Sequence, residues 1–151
     1  MLSFLAMVVL CLDVGARRTG VAISDPTGTL ARPLTTLEVG DTLQRLLPPL
    51  RELVAEHTAE CLVVGLPRRL SGARGPEAER AEALATGLGE ALGIAVELCD
   101  ERLTTVEAER LLGERGVRGR KRRKRIDQVA AAVILQGYLD RQAAKRGREP
   151  A

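Results

Sequence analysis

A chain of 151 residues, 45% hydrophobic and 28% charged, has apolar material for one substantial core, which excludes a disordered or fibrous protein. Its 23 Lys and Arg against 20 Asp and Glu leave a net charge of only +3, yet eight of those cations crowd residues 115–125, where there is no acid. The remainder holds 15 basic against 20 acidic residues, so the basicity is a local device, suited to a docked polyanion and not to anionic surfaces in general.

The apolar opening MLSFLAMVVLCL lacks a basic leader and is too short to span a bilayer. Its second half, Met7 to Asp13, predicts a strand buried on both faces. The turn GARRTG and the run Val21 to Ser24 complete a hairpin. Asp25-Pro26-Thr27-Gly28 has turn composition, and Thr29 to Leu37 follows as a third strand. Asp41 with Gln44 resembles a helix-capping box, and Leu43, Leu46, Leu47, Leu50 and Val54 keep helical spacing beyond it. Pro48 and Pro49 are expected to break or kink that helix. Glu60 to Leu66 predicts another buried strand, and the loop PRRLSGARG leads to Pro76, suited to a first helical position. That helix runs to a natural stop at Gly93.

Ala95 to Cys99 is the next strand, and Thr104 with Glu107 caps a short helix ending near Gly113 or Gly116. The cations of 115–125 then form a connection between two helices. Ile126, Val129, Ala130, Val133, Ile134 and Gly137 mark one face of the last helix, which Asp127 opens, and residues 143–151 read as a frayed tail. The expected fold is one α/β domain spanning residues 1–151. Its sheet is mixed, antiparallel over the first three strands and parallel afterwards.

Three carboxylates fall at the ends of these elements: Asp13 at the end of the first strand, Glu101 after the last, and Asp127 on the closing helix. Open α/β sheets commonly gather such ends at one edge. Hydrolysis of a phosphodiester requires charge stabilisation on both the attacking and the leaving oxygen, and two Mg²⁺ or Mn²⁺ ions about 4 Å apart supply it. These hard cations prefer carboxylates and water. With His57 as the sole histidine, a zinc or histidine-base mechanism is poorly supplied. Each acid alone also suits a plainer role: Asp13 ending a strand before a turn, Asp127 complementing a helix dipole, Glu101 pairing on the surface with Arg102.

Arg120, Lys121, Arg122, Arg123, Lys124 and Arg125 lead directly into Asp127 and are candidates to grip phosphates. Arg68, Arg69 and Arg74, in the loop after the fourth strand, offer a second grip. Phe4 and Tyr138 are the only aromatics, so there is no platform for stacking bases and recognition should follow backbone and shape. Cys11, Cys61 and Cys99 lie in apolar strands without metal-ligand spacing, and are expected to be buried free thiols in a reducing cytoplasm.

Four blocks carry a family resemblance. Asp13-Val14-Gly15 with Arg18 and Gly20 fits D-x-G-x-x-R-x-G, and Gly65-Leu66-Pro67 with Gly72 and Gly75 fits a mid-chain loop. Asp100-Glu101-Arg102-Leu103-Thr104-Thr105 fits D-E-R-L-T-T, and Ile126-Asp127 through Ile134-Leu135-Gln136 to Tyr138-Leu139-Asp140 fits a closing helix. In this order the chain resembles the YqgF/RuvX family of Holliday-junction resolvases and pre-rRNA nucleases over about residues 8–141. The resemblance implies an RNase H-like three-layer fold with five strands. It implies that Asp13, Glu101 and Asp127 form a metal-binding triad, and that Arg18 and Arg102 belong with the nucleic-acid contacts. It also implies cytoplasmic work on nucleic acid, without a membrane, as a monomer or homodimer, in 5′-end maturation of the 16S rRNA precursor.

Two departures stand out. The fourth strand, VVGLP, has no acid where related resolvases place a Glu, and Arg69 and Ser71 stand where many relatives have Asn and Asp. Rival readings are a resolvase of four-way DNA junctions and an RNA-binding assembly factor that does not cut. An actin-like ATPase would need two such domains.

Overall fold

A computed structural model of the chain describes residues 7–66, 75–100 and 119–148. Strands β1 (Val9–Val14), β2 (Thr19–Ser24) and β3 (Ala31–Leu37) come first, then α1 (Leu43–His57), β4 (Cys61–Leu66), α2 (Pro76–Leu92), β5 (Ala95–Asp100) and α3 (Gly119–Arg148). The sheet order is β3-β2-β1-β4-β5, with β1 antiparallel to β2 and parallel to β4. β2 and β3 are antiparallel and β4 and β5 parallel, the mixed sheet expected from the sequence.

The alternation of the strands explains the layers. Leu10, Leu12, Val21, Ile23, Leu62 and Val64 point to one face, where Leu46 and Leu50 of α1 and Leu84, Ala85 and Leu88 of α2 bury them. Val9, Cys11, Ala22, Cys61, Val63 and Cys99 point to the other, beneath Ala131, Ile134, Leu135 and Leu139 of α3. The RNase H-like three-layer arrangement follows from this: β1 and β4 need apolar cover on both faces, and helices provide it. All three cysteines are buried free thiols, as their strand contexts predicted.

Several boundaries differ from expectation. The third strand starts at Ala31 because the Asp25 carboxylate captures the residues before it. It accepts from the Thr29 N–H at 2.8 Å, the Leu30 N–H at 3.0 Å and the Thr27 hydroxyl at 2.6 Å. Those bonds, Thr27 foremost, hold Asp25 down to a pKa of about 2. A register shift between Val21 and Ala22 leaves Leu34 as the extra residue on β3, beside Pro33 on this edge strand.

Thr42, not Asp41, caps α1, its hydroxyl accepting from the Arg45 N–H at 3.4 Å. Pro48 and Pro49 do not break α1, which runs through them. Each proline removes a backbone hydrogen bond, but Leu46 and Leu50 on either side are fully buried, and that packing holds the segment helical. Gly93 stops α2 as expected, with φ +70 and its N–H bonded to the Gly89 carbonyl.

The largest correction concerns the basic run. Arg120 to Arg125 do not lie in a connection between helices; they form the opening turns of α3, and Asp127 sits inside that helix rather than at its start. Lys and Arg are good helix formers, and no Gly or Pro interrupts residues 120–136. Residues 143–148, expected to fray, instead continue α3 to Arg148. The short helix anticipated after Thr104 lies outside the described residues.

Candidate active site

Asp13 and Asp127 come together over Gly20. Asp13 is the register partner of Gly20 across the β1–β2 hairpin, so their side-chain directions share the face that α3 covers. A Cβ on Gly20 would stand 1.9 Å from the Asp127 carbonyl oxygen and 3.0 Å from its Cα. The helix backbone therefore rests directly on β2, a contact that a side chain at position 20 would block. Paired antiparallel Cα atoms stand about 5 Å apart, so the Cα atoms of Asp13 and Asp127 lie within about 10 Å of each other. That is within reach of carboxylates sharing metals about 4 Å apart.

The hairpin loop beside them is tightly built. The Gly15 N–H donates to the Arg18 carbonyl at 3.0 Å, and a Cβ on Gly15 would meet that oxygen at 2.7 Å. Gly40 packs against the loop so closely that a Cβ there would lie 2.1 Å from the Ala16 carbonyl oxygen. The buried Thr19 hydroxyl donates to the Val39 carbonyl at 3.2 Å. Out of this loop Arg18 Nε donates to Asp127 Oδ2 at 2.8 Å, with 27% and 22% of the two side chains exposed.

Below Asp127 the helix is tied to β3. Thr36 donates its hydroxyl to the Lys124 carbonyl at 2.6 Å, and Lys124 Nζ lies 2.9 Å from Glu38 Oε2. Lys124 is thus engaged by the protein itself, and Arg125 donates to Gln128 Oε1 at 3.1 Å. Lys121, Arg123 and Arg125 are exposed. Arg122 Nε is the one buried side-chain nitrogen or oxygen among the described residues without a hydrogen-bond partner. Farther along α3, Gln136 accepts from the Ala31 N–H at 2.9 Å and donates to the Thr29 carbonyl at 3.0 Å, clamping the helix to the Asp25 turn.

A second polar cluster lies at the far end of the sheet. Tyr138 and Cys61 both donate to Glu97 Oε2, the thiol at 3.9 Å. Burial, helped by the Glu97 charge, pushes the Cys61 thiol up to about 11, and burial raises Tyr138 as well. Arg141 Nη2 donates to Cys99 Sγ at 2.7 Å. These thiols serve the interior.

Of the residues singled out from sequence, the structure brings together Asp13, Arg18 and Asp127. Glu101, Arg68, Arg69, Arg74 and Arg102 lie outside the described residues, and Arg120 is placed only as part of α3. Sequence reasoning missed the role of Gly20; an isolated glycine inside a strand was the available signal of a close backbone approach. Among the described residues no three His, Cys, Asp or Glu side chains gather to hold a metal. Asp13 and Asp127, brought near each other by backbone packing, are hard oxygen donors, a donor set that fits Mg²⁺ or Mn²⁺ and not zinc.

The model of the RuvX family, described as Holliday junction resolvase, matches residues 7–141. The chain belongs to that family. It is 50% identical over 135 residues to a Moorella thermoacetica protein named "Putative pre-16S rRNA nuclease", covering 89% of this chain and 96% of that one. A protein of the same name from Chloroflexus aurantiacus is 45% identical over 141 residues, 93% of this chain and 92% of the relative.

Among solved structures, Thermus thermophilus RuvC in complex with a Holliday junction substrate superposes with a TM-score of 0.57 at 18% identity, covering 94% of this chain and 97% of RuvC. The fowlpox virus Holliday junction resolvase gives 0.54 at 13%, covering 89% and 99%. Those likenesses establish the fold. Membership in the family makes the chain a nuclease, an enzyme acting on phosphodiester bonds. No helix among the described residues is long and apolar enough to cross a membrane.

Proposed function

We propose that this nuclease is a metal-dependent, cytoplasmic enzyme that trims the 16S rRNA precursor, with Asp13, Asp127 and Glu101 as its carboxylate ligands. The observation that carries the reading is the meeting of Asp13 and Asp127 over Gly20, two acids 114 residues apart in sequence and on one face of the sheet. When bound there, Mg²⁺ or Mn²⁺ would activate water and stabilise charge on the phosphoryl oxygens. The naming of relatives for pre-16S rRNA supports that substrate.

The basic start of α3 supports a phosphate backbone as the thing held. Cations in the first turns of a helix oppose its dipole, by about 0.3–1 kcal/mol each at the surface, and α3 has no acid in its first turn to relieve them. An arrangement that local helix rules disfavour makes sense when an anion arrives to complete it. Lys121, Arg123 and Arg125, exposed along these turns, are the described cations best placed for it, with Arg68, Arg69, Arg74, Arg102 and Arg120 as further proposed contacts.

The likeness to RuvC and the family description favour one second reading, cleavage of four-way DNA junctions. The test offers a 16S precursor fragment and a mobile four-way junction to the purified protein, with Mn²⁺, with Mg²⁺ and with EDTA. Asp13→Asn and Asp127→Asn should abolish cleavage while retaining fold and binding. Preference for the RNA supports precursor trimming, and preference for the junction replaces it with resolution. Full activity in EDTA, or in both Asn variants, refutes the carboxylate site.

A further inference from the structure

Resting on the reading of Asp13 and Asp127 as metal ligands, we propose that Arg18 is a bridge: its Nε fixes Asp127 while its two Nη groups take a phosphate oxygen of the substrate. Arg18 meets Asp127 through one nitrogen and one oxygen only, Nε to Oδ2 at 2.8 Å. Asp127 therefore has Oδ1 to offer a cation without releasing the arginine. The guanidinium carries five N–H donors in a rigid fork, and among the described residues its hydrogen bond is made through Nε. With 27% of the side chain exposed beside Asp127, Arg18 lies where a ligand can reach it.

A plain structural staple between hairpin and helix is the competing account, and the packing argues against it. α3 is already held by the Gly20–Asp127 backbone contact, by Thr36 on the Lys124 carbonyl, by Lys124 on Glu38 and by Gln136 on β3. One part-exposed ion pair adds little to such a dock. The loop that presents Arg18 is nonetheless built with unusual closeness, two glycines accommodating carbonyls that any side chain would strike. Holding a guanidinium still is worthwhile where it must orient a ligand carboxylate and receive a phosphate at once. A lysine keeps the charge, but its three donors radiate from one nitrogen and lack the planar fork that spans carboxylate and phosphate.

The experiment compares wild type with Arg18→Lys and Arg18→Gln by three measurements that need no turnover. These are denaturant unfolding, calorimetric titration of the protein alone with Mn²⁺, and binding of a fluorescent RNA duplex in EDTA over a range of salt. The bridge predicts wild-type unfolding midpoints and Mn²⁺ affinity lowered about tenfold in both variants, the usual loss when a ligand's supporting partner is removed. Duplex affinity should fall, with the salt slope flattened by about 0.9 in Arg18→Gln. Tighter Mn²⁺ binding by Arg18→Gln would make Arg18 a competitor for Asp127 and overturn the bridge. So would unchanged Mn²⁺ and RNA affinities, or a loss confined to the unfolding midpoint. Wild-type protein that takes up no Mn²⁺ defeats the metal reading itself, whereas uptake that Arg18→Lys leaves intact defeats the role given to Arg18 alone.

Discussion

Replacing Gly20 with alanine tests how α3 delivers Asp127 to the sheet. The new Cβ would lie 1.9 Å from the Asp127 carbonyl oxygen, 2.3 Å from its carbonyl carbon and 3.0 Å from its Cα, all of them backbone atoms. Reaching even a 3.0 Å contact with that oxygen requires the helix to recede by about 1.1 Å, because no side chain can rotate away. Overpacking of this kind costs about 1–3 kcal/mol. A misplacement near 1 Å at a reacting centre costs about a hundredfold in rate. Gly87→Ala is the control: its Cβ would meet Leu43 Cδ2 at 2.9 Å, the end of a flexible side chain, and a mid-helix alanine recovers about 0.5–1 kcal/mol. Urea unfolding and initial cleavage rates in Mn²⁺ are to be measured on both. The expected pattern is a lower midpoint with turnover about a hundredfold down for Gly20→Ala, and near wild-type turnover for Gly87→Ala. A Gly20→Ala protein with wild-type midpoint and rate would refute the tight contact, and with it the way the site is assembled.

Neutralising Lys121, Arg122 and Arg123 together should weaken RNA and DNA binding alike, flattening the salt slope by about 0.7–0.9 per lost phosphate contact while Mn²⁺ affinity holds. Wild-type affinity and slope would move recognition to Arg68, Arg69 and Arg74. Cys61 has a folded pKa raised from 9.0 to about 11, so its contribution to stability is complete below pH 9 and lost as pH climbs through 11. Thermal unfolding between pH 8 and 11.5 should show that decline, and Cys61→Val should lessen it without changing cleavage. An identical alkaline profile in the variant would contradict the assignment.

The chain by itself determined the strand count, the mixed sheet and the burial of the cysteines. Runs such as Val8 to Leu12 and Cys61 to Val64 are apolar at every position, and such strands must be covered on both faces. It also put Asp13, Arg18 and Gly20 in one motif and Asp127 in another. Local signals failed where packing outweighed them. The prolines of α1 are overruled by buried leucines on either side, and the cations before Asp127 read as a connection between helices although they are good helix formers continuing α3. Only the tertiary structure decided that Asp127 meets Asp13, since no periodicity encodes which strand a distant helix will lie upon. That choice was made by a missing side chain: Gly20 leaves room for a backbone to settle on the sheet, and the helix that settles there carries the second acid and the partner of Arg18.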